Sequence, residues 1–239
     1  MNILRSGVGI IAGAILGLCV MSAQASDGVM VAPSSQPLNV GDAMLAAAAY
    51  HDEGAYEREV ARIANLADEW MAQTAPNAAR PALVLDVDET ALSNWEVIRR
   101  DNFGRPIAGP CVSGSTAPCG WASWDLLASS TPIAPIQNLA RKAQARGIAV
   151  FFITGRPENQ REATERNLRA AGYTDFVKLY MVPEGSSFAS AVDFKAPVRA
   201  AIEAEGYTII ANIGDQPSDL FGGNARKIFL LPNPFYRVP

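Results

Sequence analysis

From Pro81 onward, short β-rich apolar runs alternate with amphipathic helical stretches, and that alternation leaves very few folds open. The runs are ALVLDV (82–87), IAVFFIT (148–154), VKLYMV (177–182), YTIIANI (207–213) and KIFLL (227–231). Between them PIQNLARKAQARG, ENQREATERNLRAAG and FKAPVRAAIEAEG each close on a glycine, Gly147, Gly172 and Gly206, which suits the left-handed end of a helix. Such alternation predicts right-handed βαβ units and an α/β fold, a Rossmann-like parallel sheet with helices on both faces. Ligands of these sheets bind outside the carboxyl ends of the strands.

Two segments depart from the pattern. Residues 42–74 place Tyr56, Val60, Ile63, Ala67 and Trp70 at helical spacing, with Glu57, Arg58, Glu59 and Arg62 on other faces. They predict an N-terminal helical extension that packs on the core. Residues 91–131 set Trp95, Phe103, Trp121 and Trp124 among glycines and prolines. This insertion leaves the sheet after the first strand, at the carboxyl edge, and is placed to form a small cap over the site. Residues 42–239 then read as one domain.

The first 25 residues read as a cleaved export signal. Asn2 and Arg5 precede the apolar run VGIIAGAILGLCVM, and Ala23-Gln24-Ala25 supplies the small residues that signal peptidase accepts. The run is 14 residues long, short of the ~20 that span a bilayer. The expectation is a periplasmic or secreted protein with no stable membrane anchor, and a flexible leader over residues 26–41. Loss of Cys19 with the signal leaves Cys111 and Cys119, eight residues apart in CVSGSTAPC, as a disulfide pair in an oxidising compartment. A zinc site would need two more soft ligands, and the sole histidine, His51, is far away in sequence and reads as a surface residue. Loss of Arg5 takes the formal net charge from −4 to −5. With no Lys/Arg cluster, polymeric nucleic acid is excluded as a partner.

The chemistry lies at the strand ends. Asp86 and Asp88 end the first strand, Thr154 of ITGR the second, and Asp215 and Asp219 of GDQPSDL follow the fourth. Carboxylates this close need a positive charge among them, and hard oxygen ligands at this density suit Mg²⁺. An EF-hand reading of DVDETALSNWEV fails on register, because Ala91 stands where glycine is required and Val97 where glutamate is required. Helix capping would account for one aspartate but not for repeated placement at strand ends.

The ordered set DVDET, TGR, an isolated lysine and GDQPSD resembles the haloacid dehalogenase superfamily. Within it, LDVDETALSN, ITGRPENQREATERNLRAAGY and GDQPSDL are similar to exported acid phosphatases related to plant vegetative storage proteins and bacterial class C enzymes. The resemblance covers residues 81 to about 231. It implies Asp86 as the nucleophile that forms an aspartyl-phosphate and Asp88 as the general acid and base. It implies Thr154 and Gly155 at the phosphoryl oxygens, and Lys195, which opens the helix before GDQPSD, as the charge that neutralises the phosphoryl group. Mg²⁺ would be held by Asp86, the Asp88 backbone carbonyl and Asp215, with Asp219 nearby.

The implied activity is hydrolysis of small phosphate monoesters. A phosphohistidine mechanism is excluded because His51 lies in HDE, and a cysteine phosphatase because Ala117 and Asp125 stand six residues beyond the two cysteines. Three alternatives remain open at this point: a non-catalytic storage or binding protein of the same fold, a 5′-nucleotidase, and phosphotransfer to an acceptor alcohol.

Overall fold

A computed structural model describes residues 35–239. The expected export signal (1–25) and most of the expected leader (26–41) lie outside the described residues. The order of elements is α1 (Val40–Asp52), α2 (Ala55–Thr74), β1 (Pro81–Leu85), β2 (Leu92–Ser93), α3 (Trp95–Arg100), α4 (Trp121–Leu127), β3 (Thr131–Pro132) and α5 (Ala134–Ala145). It continues with β4 (Ala149–Pro157), α6 (Arg161–Ala170), β5 (Lys178–Val182), α7 (Ala191–Ala204), β6 (Thr208–Gly214), α8 (Pro217–Leu220) and β7 (Ile228–Leu230).

Five strands pair in parallel in the order β5-β4-β1-β6-β7. The strand that carries Asp86 is central, and its neighbours β4 and β6 carry TGR and GDQPSD, so the acidic motifs meet at one edge. Side chains alternate across the sheet as period-two geometry requires. Leu83, Leu85, Val150, Phe152 and Ile213 face α2, α5 and α6, and a β-bulge in β6 brings Ile210 to the same side. On the opposite face Ala82, Val84, Phe151, Ile153 and Ile209 pack on Phe194 and Ile202 of α7. Helices therefore cover both faces, and the fold is the expected α/β one.

The N-terminal extension differs in detail from the single helix expected over 42–74. It breaks at Gly54, whose φ of 75° is a left-handed conformation that ends α1 and starts α2 anew. Asn39 caps α1, its Oδ1 accepting from the Gly41 amide at 2.8 Å. Along α2, Tyr56, Val60 and Ala67 are buried, and Trp70 donates its Nε1 hydrogen to the Ile210 carbonyl at 2.8 Å. His51 is not the plain surface residue expected. It lies half-buried, stacked 3.7 Å from the Trp95 ring and 5.6 Å from the Tyr56 ring. Among the described residues, no helix is long and apolar enough to cross a membrane.

The insertion leaves β1, forms β2, α3 and α4, and closes where β3 pairs antiparallel with β2. A disulfide joins Cys111 to Cys119. The loop it closes is held on α3 from two sides: Arg100 Nη1 donates to the Val112 carbonyl at 3.1 Å, and Asp101 Oδ1 accepts from the Cys119 amide at 2.7 Å. Backbone packs on backbone nearby, since a Cβ on Gly120 would lie 2.4 Å from the Gly109 carbonyl oxygen. By chain entropy, replacing both cysteines with serine should cost about 2.5 kcal/mol for so short a loop. Thiol titration of the unfolded, unreduced full chain should find at most the Cys19 thiol, and two or more reactive thiols would disprove the pairing.

Candidate active site

The turn after β1 brings its carboxylates to the sheet edge. Asp86 extends the β1–β6 pairing, its amide donating to the Ile213 carbonyl at 3.0 Å. The Val87 carbonyl then accepts from the amides of Ala91 and Leu92 at 2.9 and 2.8 Å. Glu89 takes a φ of 51° in this bend, a strained conformation for a non-glycine residue. Its buried carboxylate holds the bend shut: Oε1 accepts from the Asn94 amide and Oε2 from the Tyr236 hydroxyl, both at 2.5 Å. Burial, followed by the Asp88 charge, pushes the Glu89 carboxyl up to about 7 against those hydrogen bonds.

Lys195 reaches this edge from α7. Its Nζ lies 2.5 Å from Asp86 Oδ1 and 2.7 Å from Asp219 Oδ1, and the residue is only 4% exposed. Burial works to lower its pKa, but Asp219 and Asp86 more than offset that and hold the ammonium above its ordinary value. Burial in turn pushes Asp86 well above the carboxylate range; Lys195 opposes the shift, while Asp219, Asp215 and Asp88 add to it.

The loop after β6 completes the cluster. Asp219 spends both oxygens on the chain itself, Oδ1 on Lys195 and Oδ2 on the Gln216 amide at 2.9 Å. Gly214 makes room for it, because a Cβ there would lie 2.5 Å from the Asp219 Cβ. Asp215 Oδ2 accepts from Gln216 Nε2 at 2.7 Å and Asn233 Nδ2 at 2.6 Å, whereas Oδ1 has only the longer 3.2 Å contact from the Thr90 hydroxyl. Burial and then Asp219 push Asp215 up to about 7, against the donors of Asn233 and Gln216.

Asp86, Asp215 and Asp219 each offer a carboxylate oxygen within 4.8 Å of the others, and all three residues are buried. Three carboxylates and one lysine leave two negative charges in a buried setting. A divalent cation cancels them, and all-oxygen donors suit a hard one, so the residues fit a divalent metal.

Asp88 stands apart from this trio. Its Oδ1 accepts from Arg156 Nη2 at 2.6 Å and from Asn94 Nδ2 at 2.8 Å. Burial works to raise the Asp88 carboxyl, but Arg156 and then Asn94 outweigh it and hold it below its ordinary value. Thr154 is fully buried, and its hydroxyl accepts from the Arg156 amide at 3.2 Å. It does not line the cavity of about 330 Å³ over the carboxylates, whereas Gly155, Arg156 and Pro157 do. Arg105, Ile107 and Trp121 of the insertion and Tyr236 of the last segment close its outer side.

Asn94, Arg156, Asn233 and Tyr236 are site residues that the sequence reading did not single out. Arg156 is the last residue of the quoted motif TGR and Asn94 the last of LDVDETALSN, but neither was assigned a role. Asn233 and Tyr236 lie in an irregular segment with no periodic signal.

Residues 22–239 match the family described as HAD superfamily, subfamily IIIB (acid phosphatase). Vegetative storage protein 1 of Arabidopsis thaliana is 34% identical over 157 residues, 65% of this chain and 55% of that protein. Acid phosphatase 1 of Solanum lycopersicum is 32% identical over 190 residues, 77% of this chain and 69% of that protein. Among solved structures, the class C acid phosphatase from Bacillus anthracis with tungstate bound superposes with a TM-score of 0.65 at 19% identity, over 82% of this chain and 85% of that one. At that identity the likeness speaks for the fold alone. The family match extends over nearly the whole chain, and with aspartates, TGR and lysine meeting at one sheet edge, the chain belongs to subfamily IIIB of the haloacid dehalogenase superfamily, the acid phosphatase family.

Proposed function

We propose that the protein is an exported, Mg²⁺-dependent acid phosphatase that hydrolyses small phosphate monoesters through an aspartyl-phosphate on Asp86. The observation that carries this reading is the placement of Lys195 between Asp86 and Asp219, beneath a cavity that opens onto Asp86 and Asp88. A buried lysine beside a strand-end carboxylate marks a place for a phosphoryl group to be neutralised while the carboxylate attacks.

In the first step an Asp86 oxygen forms a bond to phosphorus as the ester P–O bond breaks. The leaving oxygen takes the bond's electron pair and a proton from Asp88. In the second step water attacks phosphorus, its proton passes to the Asp88 carboxylate, and the bond to Asp86 breaks to release phosphate. Gly155 offers backbone at the cavity wall to a phosphoryl oxygen, and the buried Thr154 steadies that turn through its hydroxyl, which accepts from the Arg156 amide. Mg²⁺, held by Asp86, the Asp88 carbonyl and Asp215, supplies positive charge for the phosphoryl oxygens when bound.

Asp215 and Asp219 play different parts here. With both of its oxygens committed to Lys195 and Gln216, Asp219 acts as scaffold, and Asp215 Oδ1 is the freer donor. Asp215→Asn should therefore raise the Mg²⁺ concentration for half-maximal activity at least ~10-fold, a change equal to ~1.4 kcal/mol, with little loss of melting temperature. Asp219→Asn loses the ion pair to Lys195 and also the anionic acceptor for the Gln216 amide, a second tie through its other oxygen, and should lower stability by ~3 kcal/mol. Magnesium titrations of activity and melting curves separate the two, and the opposite ranking would exchange the roles.

The cysteine pair supports export, since disulfides persist in oxidising compartments. Similarity to a vegetative storage protein favours a second reading, a storage protein of this fold. Hydrolysis of 4-nitrophenyl phosphate decides between them. Matched release of nitrophenol and phosphate is expected, and none above background across a panel of esters would leave the storage reading.

A further inference from the structure

Asp88 is held by two donors, and both are held in turn by neighbouring residues of the same short helix. The first donor is Arg156, which is 3% exposed. Its Nη2 contacts Asp88 Oδ1 at 2.6 Å, and its Nε lies 3.2 Å from each Asp88 oxygen. Nη2 also lies 3.2 Å from Asp125 Oδ1 on α4, an ion pair without hydrogen-bond alignment. The second donor is Asn94, which is fully buried. Its Oδ1 accepts from Trp124 Nε1 on α4 at 2.9 Å and from the Ser130 hydroxyl at 2.8 Å. Its Nδ2 is thereby turned to Asp88.

We infer that Arg156 and Asn94 are positioning residues for Asp88, and that α4 of the insertion sets them through Asp125 and Trp124. The insertion thereby governs proton delivery to the leaving group. This inference rests on the reading of Asp88 as the acid of the first step.

The contacts also distinguish the two oxygens of Asp88. Oδ1 takes both short hydrogen bonds, whereas Oδ2 has only the 3.2 Å contact from Arg156 Nε. The two short donors crowd Oδ1, whereas Oδ2 accepts a single longer contact, so when Asp88 carries a proton Oδ2 is the oxygen with room for it. As the ester P–O bond breaks, that proton moves to the leaving oxygen, which keeps the bond's electron pair. An alkoxide leaving group needs the proton in the transition state, whereas 4-nitrophenolate departs with little help. Loss of Asp88 alignment should therefore penalise alkyl phosphates selectively. Phosphoryl capture depends on Asp86 and Lys195, which contact neither Asp125 nor Trp124.

The test measures kcat/KM of wild type, Asp125→Asn, Trp124→Phe and Asp88→Asn on an alkyl phosphate and on 4-nitrophenyl phosphate, with the inhibition constant of inorganic phosphate. Asp125→Asn removes the charge at nearly constant shape, and Trp124→Phe removes the Nε1 donor while keeping an aromatic core residue. Both should lose at least ~10-fold more on the alkyl ester than on the nitrophenyl ester, and Asp88→Asn more still, within the ~10²–10⁴ range of general acid catalysis. The phosphate inhibition constant should stay within about 3-fold, less than ~1 kcal/mol. Equal losses on both esters in Asp125→Asn and Trp124→Phe, with the skew present in Asp88→Asn, would overturn the inference and leave the acid assignment standing. Absence of the skew in Asp88→Asn would instead remove Asp88 as the acid, and a wild type inactive on both esters would remove the phosphatase reading. If Asp125→Asn does not fold, Trp124→Phe alone decides.

Discussion

Asp86→Asn should abolish turnover, by at least ~10⁴-fold on the scale at which removal of a catalytic nucleophile is felt, while the protein still folds. The amide keeps the shape of the carboxylate and an oxygen to accept from Lys195, whose Nζ lies 2.5 Å from Asp86 Oδ1. It lacks the anionic oxygen that forms the bond to phosphorus, and the neighbouring carboxylates are engaged elsewhere: Asp219 with Lys195 and Gln216, Asp88 with Arg156 and Asn94, and Asp215 with Gln216 and Asn233 and, in the proposed reading, with the metal. In the metal-free protein the melting temperature should hold or rise, because one of three mutually repelling buried carboxylates is gone and Lys195 keeps Asp219. Kinetics and thermal melts of the same preparation check both halves. Turnover within a few-fold of wild type would remove Asp86 from its role.

Exhaustive chelation should stop hydrolysis and lower the melting temperature together. The buried trio of Asp86, Asp215 and Asp219 is offset by a single lysine, so a bound divalent cation stabilises the fold as well as the reaction. A cation at ~100 times its dissociation constant contributes about 2.7 kcal/mol. For a domain of this size that amounts to about 5–10 °C. Mg²⁺ should restore both properties. Ca²⁺ prefers looser and higher coordination, and should restore melting temperature better than rate, because in-line attack needs tight octahedral geometry. Full activity with an unchanged melting temperature after chelation would return the aspartates to a structural role.

Much of this was legible in the chain because regular elements repeat. The strand-end position of Asp86 and Asp88, the second strand ending in TGR and the loop with Asp215 and Asp219 follow from apolar runs that stop at polar residues. In a parallel sheet those stops must fall on one edge. Lys195 was legible for the same reason, as the lysine at the start of the helix before GDQPSD. The single histidine bounded the chemistry further, and the cysteine pair, read with the expected export signal, predicted the disulfide that the structure contains.

What periodicity does not encode had to come from tertiary structure. The break at Gly54 depends on one backbone φ, where the sequence pattern runs on across residues 42–74. The different hydrogen-bond partners of Asp215 and Asp219 depend on Gln216, Lys195 and Asn233 converging from three segments. Neither oxygen inventory shows in GDQPSD itself. The setting of Asp88 is the plainest instance, for its partner Arg156 lies 68 residues away, and Asn94 meets Trp124 across 30 residues of insertion. A buried polar side chain in an irregular segment has the same local sequence as a solvated one. Only when the chain closes and water is excluded does each such group need a partner, and the partner is chosen by where the fold has placed the rest of the chain.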